Sequence, residues 1–212
     1  MEKTGNKISE YLLQIKAIKL EPAKPFTWAS GWKSPIYCDN RKTLSYPAVR
    51  DFIKREFVRI IKAKYPETEI IAGVATGAIA HAALVAQELN LPLVYVRPNP
   101  KQHGLENLIE GVINPGQRAV VVEDLISTGK SSLKAVEALE KAGAHVEGMV
   151  AIFTYGFPVA EENFKNSGCE LTTLGNYNVL VDLALKSGYI KEKDVNTLRK
   201  WREDPGKWRG DE

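Results

Sequence analysis

The 212-residue chain has few of the residues that build metal centres or covalent frameworks. It contains two cysteines, Cys38 and Cys169, and three histidines, and the cysteine–histidine spacing typical of zinc sites does not occur. Two cysteines make no disulfide framework, so we expect free, reduced thiols and a cytoplasmic protein. Charged residues interrupt every short apolar run near the start, so no signal peptide is predicted. No stretch approaches the roughly 18 apolar residues of a membrane helix.

A large excess of charge of one sign is also absent. The 29 Lys and Arg residues against 26 Asp and Glu leave a net charge of +3, which is too small to indicate a nucleic-acid partner. With 44% hydrophobic and 26% charged residues, the composition is that of a folded globular protein. The length predicts one domain with an extension.

The order of apolar segments predicts an α/β fold. Two amphipathic helices come first, one with its apolar face running from Ile8 to Ile18 and one ending before Pro66. Near-continuous apolar strands then alternate with helices, which is typical of an open, mostly parallel central sheet with helices on both faces. The four predicted strands span residues 70–74, 91–96, 118–124 and 146–154.

We expect a single domain over residues 1–212 with three parts. An N-terminal helix and hood take about 1–45, an α/β core about 46–190, and a C-terminal helix or tail 191–212. The tail is polar, so Trp201 and Trp208 are expected to pack on the subunit surface.

Ligands of such sheets bind beyond the carboxyl ends of the strands, which directs attention to the residues after Val122. Two carboxylates there can accept hydrogen bonds from a sugar diol or hold the water shell of a metal. The loop that follows opens a helix, and backbone N–H groups at a helix N-terminus favour an anion. A diol binder beside a phosphate cradle fits a ribose 5-phosphate. The segment comprises Glu123, Asp124, Leu125, Ile126, Ser127, Thr128, Gly129, Lys130 and Ser131.

Two further segments carry polar groups that suit such a ligand. Arg97, Lys101 and His103 stand in a loop rich in proline and glycine, and could close over a polyanionic leaving group. The segment 26–39 offers aromatic faces and the cation of Lys33, which suit a small planar anion. Taken alone, the first also fits a solvated basic loop and the second a hydrophobic cap over the sheet.

Together the three segments resemble the orotate phosphoribosyltransferase family of the type I phosphoribosyltransferases. The stretch 120–132 resembles the signature that binds 5-phosphoribosyl 1-diphosphate (PRPP), 97–104 resembles the family's flexible catalytic loop, and 30–37 resembles part of the hood over the base. The resemblance implies transfer of ribose 5-phosphate from PRPP to orotate, giving orotidine 5′-monophosphate and pyrophosphate in de novo pyrimidine (UMP) biosynthesis.

The resemblance also implies the roles of individual residues. Arg97 and Lys101 stabilise the leaving pyrophosphate, with His103 as an additional donor, and Asp124 with Glu123 holds the ribose hydroxyls. Orotate is expected near Ser127, Tyr37 and Lys33.

The cofactor and the partners follow from the same resemblance. Mg²⁺ is expected to bind through PRPP, with Glu123 and Asp124 reaching it through water and no direct protein ligand. A homodimer that shares the loop 97–107 between subunits is implied.

Several positions differ from many family members. Ala29 and Gly77 stand where lysines are common, and the segment Phe153–Phe157 contains no arginine to grip the orotate carboxylate. Lys33 or Arg41 could substitute.

Two other functions would use the same PRPP motif. One is transfer to a purine or another base, against which the segments 97–104 and 30–37 argue. The other is a PRPP-sensing regulator without catalysis, for which no DNA-binding motif is present.

Overall fold

The computed structural model describes residues 2–28, 30–99 and 108–209. The predictions for Lys101 and His103, and for most of the loop 97–107, therefore lie outside the described residues. The substitution at Ala29 lies outside them as well.

Strands and helices alternate through most of the described chain. The strands are β1 (Ile18–Leu20), β2 (Phe26–Thr27), β3 (Lys33–Ser34), β4 (Ile36–Cys38), β5 (Ile70–Val74), β6 (Leu93–Val96), β7 (Ile109–Glu110), β8 (Arg118–Ile126), β9 (His145–Thr154) and β10 (Leu171–Asn176). The helices are α1 (Glu2–Gln14), α2 (Pro47–Lys64), α3 (Ile79–Leu89), α4 (Lys130–Lys141), α5 (Pro158–Ser167), α6 (Tyr177–Lys186) and α7 (Glu192–Glu203), with a 3₁₀ segment at Asn40–Ser45. No helix among these is both long and apolar enough to cross a membrane.

A six-stranded sheet in the order β10-β9-β8-β5-β6-β7 forms the centre of the molecule. All neighbouring pairs are parallel except β6 with β7. β5 is buried along its whole length, and Val120, Val121 and Val122 of β8 are fully buried, as expected for strands covered by helices on both faces. The predicted fold class is confirmed.

The four predicted strands occur, with ends shifted by at most two residues. β8 runs on to Ile126 because β9 is long enough to pair with it as far as Thr154. β10 was not predicted from the sequence, because its threonines interrupt the apolar pattern of a buried strand.

The prediction that Ile18 continues the apolar face of the first helix is wrong. α1 ends at Gln14, and Lys16, with a φ of +55°, turns the chain away from the helix axis. Ile18 then begins β1, which pairs with β4 opposite Cys38. Ile18 is buried by this pairing, and a single apolar residue three positions further on cannot distinguish the two arrangements.

The prediction that Trp201 and Trp208 pack on the subunit surface is also wrong. Trp201 is 0% exposed, since Val195, Leu198 and Trp201 form the buried face of α7. It is the centre of an aromatic cluster, in which four ring centroids lie 5.3–5.7 Å from its own; these belong to Trp28, Tyr155, Phe157 and Tyr177. Trp208 is buried too.

Trp201 joins three parts of the chain that are far apart in sequence. Its indole Nε1 donates a hydrogen bond to the Lys33 carbonyl at 3.2 Å, so the last helix holds the small strands β2 and β3. The next residue, Arg202, donates from Nη1 to the Gly156 carbonyl at 2.8 Å. α7 therefore fixes the N-terminal hood against the end of β9.

Replacing Trp201 by alanine is expected to lower the free energy of unfolding by about 3–5 kcal/mol, because it empties the centre of the aromatic cluster. Urea denaturation followed by circular dichroism measures this loss. Tyr46→Ala is the control, since this ring is 45% exposed and should cost below about 1 kcal/mol. Equal losses in the two variants would contradict the central role of Trp201.

Candidate active site

The carboxyl ends of β5, β6, β8 and β9 meet at one edge of the sheet because these strands are parallel and adjacent. This brings four stretches of chain together: the turn after Val74, Arg97 after β6, the end of β8 with the loop that follows it, and Tyr155 after β9. The predicted PRPP-binding segment thus lies between two other segments that carry polar groups.

The loop from β8 to α4 turns sharply at Gly129, whose φ is +77°. A side chain there would also collide with the Phe164 ring, so both backbone conformation and packing require glycine. Asn163 of α5 donates from Nδ2 to the Thr128 carbonyl at 2.8 Å. The loop is therefore held in place before any ligand binds, and α4 starts directly after it, at Lys130.

The two carboxylates at the end of β8 have different surroundings. Glu123 is 5% exposed, and its oxygens accept hydrogen bonds from the Asp124 N–H and from Ser132 Oγ, both at 2.8 Å. Burial, and then the neighbouring charge of Asp124, raise the pKa of Glu123 well above its usual range. Asp124 is only partly buried. It is thus the carboxylate that can reach a ligand, while Glu123 supports the strand end.

A hydrogen bond from the hood fixes the position of Asp124. Asn40, 1% exposed, donates from Nδ2 to the Asp124 backbone carbonyl at 2.6 Å. Thr43 donates its hydroxyl proton to the Asn40 carbonyl and lies 3.0 Å from His81 Nε2. Burial, and then the charge of Arg50, lower the pKa of His81 to about 4, so this chain of contacts is neutral at physiological pH.

Asn40 was not predicted from the sequence to belong to the site. The available signal is a polar residue directly after the hood segment 26–39 that no apolar pattern explains.

Gly77 lies against the Asp124 carboxylate. A Cβ built at Gly77 would overlap both carboxylate oxygens of Asp124. The preceding Ala75–Thr76 peptide bond is cis. In this structure Asp124 occupies the volume that any side chain at position 77 would need.

Two cavities flank the Ser127–Thr128 peptide. The aromatic cavity, of about 300 Å³, is lined by Thr27, Trp28, Tyr37, Cys38, Leu125, Ser127 and Tyr155. The cationic cavity, of about 650 Å³, includes Ala75, Arg97, Thr128, Lys130, Ser131 and Lys134 in its wall. Two consecutive residues, Ser127 and Thr128, line the two cavities, so both cavities lie beside the loop that follows β8.

Comparison with known proteins identifies the family of the chain. The phosphoribosyl transferase domain family matches residues 44–169, more than half of the chain. An orotate phosphoribosyltransferase of Bacteroides thetaiotaomicron is 64% identical over 200 residues, which are 94% of each chain. One from Porphyromonas gingivalis is 56% identical over 208 residues, covering 98% of this chain and 99% of the relative. This chain belongs to the orotate phosphoribosyltransferase family.

A solved structure of a family member shows the same fold. The orotate phosphoribosyltransferase of Aeropyrum pernix superimposes with a TM-score of 0.76 at 28% identity, covering 87% of this chain and 99% of that one. Membership makes the present chain a pentosyltransferase.

The residues expected at orotate occupy different places in this member of the family. Tyr37 and Ser127 line the aromatic cavity. Lys33 lines another cavity, with Pro22 and Lys193, although its Nζ donates to Thr27 Oγ1 at 2.9 Å, and Thr27 does line the aromatic cavity.

Two arginines that the sequence analysis considered are ion-paired. Arg41 pairs with Asp39 at 2.7 Å and is largely exposed. Arg97 lies at the end of β6 and pairs with Glu110 at 3.3 Å, in the wall of the cationic cavity. Neither pair is deeply buried, so each arginine can exchange its partner for a ligand anion at small cost.

The Gly77→Ala variant is expected to lose at least about tenfold in kcat, because the new methyl group displaces the Asp124 carboxylate by more than a reacting geometry tolerates. Steady-state assays with saturating substrates measure this. Gly5→Ala is the matched control, since a Cβ at that helical position meets no atom closer than 3.6 Å. Full activity in Gly77→Ala would show that the position of Asp124 is not critical.

Proposed function

We propose that this protein transfers the 5-phosphoribosyl group of PRPP to N1 of orotate, releasing pyrophosphate and giving orotidine 5′-monophosphate for de novo UMP synthesis. The position of the aromatic and cationic cavities beside consecutive residues, Ser127 and Thr128, carries this proposal. The planar orotate ring fits the first cavity, and the phosphates of PRPP suit the cations of the second. The close relatives named orotate phosphoribosyltransferase support the same reaction.

Negative charge develops on pyrophosphate as the bond to C1 of the ribose breaks. Preorganised cations aimed at this charge are the largest catalytic contribution available to the protein. Arg97 supplies one of them from the wall of the cationic cavity, and we assign Lys101 and His103 the same role.

Positive charge develops on the ribose ring at the same time. The partly exposed Asp124 carboxylate accepts hydrogen bonds from the ribose hydroxyls and stabilises this charge. The buried Glu123 acts through its hydrogen bonds to the Asp124 N–H and Ser132 Oγ. The loop residues Ser127 to Ser131 bind the 5′-phosphate with backbone N–H groups and hydroxyls at the start of α4.

Mg²⁺ fits this site only as an ion held mainly by the substrate. Among the described residues no three His, Cys, Asp or Glu side chains are placed to hold a metal together. Of the two carboxylates at the end of β8, Asp124 is the one that is not deeply buried. Mg²⁺ commonly binds through one or two carboxylates plus substrate phosphates and keeps several waters. When bound, it would neutralise charge on the pyrophosphate, with Asp124 reaching it through water.

We further propose that the chain acts as one domain in a homodimer, and that the loop 97–107 of each subunit closes over the partner's site. Closure would exclude water and so prevent hydrolysis of PRPP.

The reaction is tested by mixing the protein with PRPP, Mg²⁺ and one base at a time, and following the ultraviolet absorbance of the base. Orotate should be consumed with stoichiometric release of pyrophosphate, whereas adenine and hypoxanthine should not react. Turnover of a purine but not of orotate would refute the proposal and show that the protein transfers the group to a purine. Binding of PRPP without turnover of any base would indicate a PRPP-sensing regulator without catalytic activity.

Loop sharing is tested with mixed dimers of Lys101→Ala and Asp124→Asn chains. Each variant alone should lose about 10²-fold or more in kcat, as for a lost transition-state contact. Co-expressed chains should recover up to about a quarter of the parent activity, because half of the dimers then combine one intact loop with one intact site. Absence of recovery in isolated mixed dimers would place each loop in its own subunit's site.

A further inference from the structure

Tyr155 is a buried tyrosine whose hydroxyl is not used by the protein. The residue is 3% exposed, and its hydroxyl has no hydrogen-bond partner among residues 2–28, 30–99 and 108–209. The contrast with Tyr177 is direct, because that hydroxyl, in the same aromatic cluster, donates to the Leu198 carbonyl at 2.9 Å. The Tyr155 hydroxyl is not among the fully buried polar atoms of the described chain that lack a partner. It therefore keeps accessible surface and is free to bond a ligand.

The Tyr155 ring is enclosed by other rings. Trp28, Phe153, Phe157 and Trp201 have their centroids 5.2–5.9 Å from that of Tyr155. Tyr155 also lines the aromatic cavity, together with Tyr37, Cys38, Leu125 and Ser127. With its faces and edges packed, the ring presents its hydroxyl end to that cavity.

The backbone around Tyr155 is held by three hydrogen bonds. The Tyr155 N–H donates to the Ile126 carbonyl at 3.1 Å, and the Gly156 N–H donates to Thr154 Oγ1 at 3.0 Å. The Gly156 carbonyl accepts from Arg202 Nη1. Because the ring is enclosed and the backbone is fixed, the hydroxyl cannot turn away from the aromatic cavity.

We propose that Tyr155 is a specificity residue for the base: its hydroxyl donates a hydrogen bond to an oxygen atom of orotate bound in the aromatic cavity. The inference rests on the proposed function and supplies a polar contact in the segment 153–157, which contains no arginine. Burial, with the nearby groups of Cys38 and Tyr177 and the charge of Asp124, raises the pKa of Tyr155 well above its usual range. The hydroxyl therefore keeps its proton and acts as a donor at physiological pH.

The test is Tyr155→Phe, which removes only the hydroxyl. We expect the KM for orotate and the Kd for orotidine 5′-monophosphate to rise about tenfold, as for one lost hydrogen bond. The KM for PRPP should stay within twofold. The melting temperature should stay the same or rise, because the protein loses a hydroxyl that it did not pair.

Tyr177→Phe is the matched control, since it removes a hydroxyl from the same cluster that does have a protein partner. It should lower the melting temperature and leave the KM for orotate within twofold. Tyr155→Phe with unchanged KM for orotate and unchanged Kd for the nucleotide would overturn the proposal. An equal rise of both constants in the two variants would also overturn it, because the effect would then come from the packing of the cluster.

Measurements on the unmutated parent protein distinguish a failure of this inference from a failure of the proposed function. If the parent neither consumes orotate nor binds orotidine 5′-monophosphate in calorimetry, the proposed function fails. If the parent does both and Tyr155→Phe is indistinguishable from it, only the role of Tyr155 fails.

Discussion

The parallel pairing of β8 with its two neighbours is the constraint on which the rest of the site depends. β8 hydrogen-bonds to β5 on one side and to β9 on the other, so the three strands end at the same edge of the sheet. The turn at Gly77, the carboxylates at the end of β8 and Tyr155 are distant in sequence and neighbours in space for this reason alone. A slip of one residue in either pairing would turn Asp124 away from the ligand side.

Two hydrogen bonds to backbone carbonyls hold the hood, one to this edge of the sheet and one to the last helix. Asn40 reaches the Asp124 carbonyl with a short, buried hydrogen bond, and Trp201 bonds to the Lys33 carbonyl from the far end of the chain. The first contact places the hood next to the carboxylate. The second holds Lys33 of β3, whose partner in β2, Thr27, lines the aromatic cavity. A groove between two loosely connected layers would not hold a small planar ligand in one orientation.

Periodicity and local chemistry were enough to predict the core from the sequence. The apolar runs at 70–74 and 118–124 indicated parallel strands, and the acidic pair with its Ser-Thr-Gly loop predicted a phosphate-binding turn between a strand and a helix. These features are local, so a single sequence reveals them. The error at Ile18 has the same origin, because one isoleucine at helical spacing fits a strand equally well.

The features that were not predicted depend on contacts between residues that are far apart in the sequence. Asn40 meets a residue 84 positions away, and Trp201 meets one 168 positions away. Nothing in a polar tail indicates that its tryptophan is the centre of a buried cluster. The different surroundings of Glu123 and Asp124 also follow from tertiary packing, because adjacent residues on a strand face opposite sides.

The position of α7 links ligand binding to the folding of the end of the chain. Trp28 and Tyr155 line the aromatic cavity on one side and pack against Trp201 on the other. Any molecule that binds the ordered cavity more tightly than a loosened one therefore also stabilises the last helix, by the same free energy. Occupancy of the aromatic cavity and the ordering of α7 are thus thermodynamically coupled through Trp201.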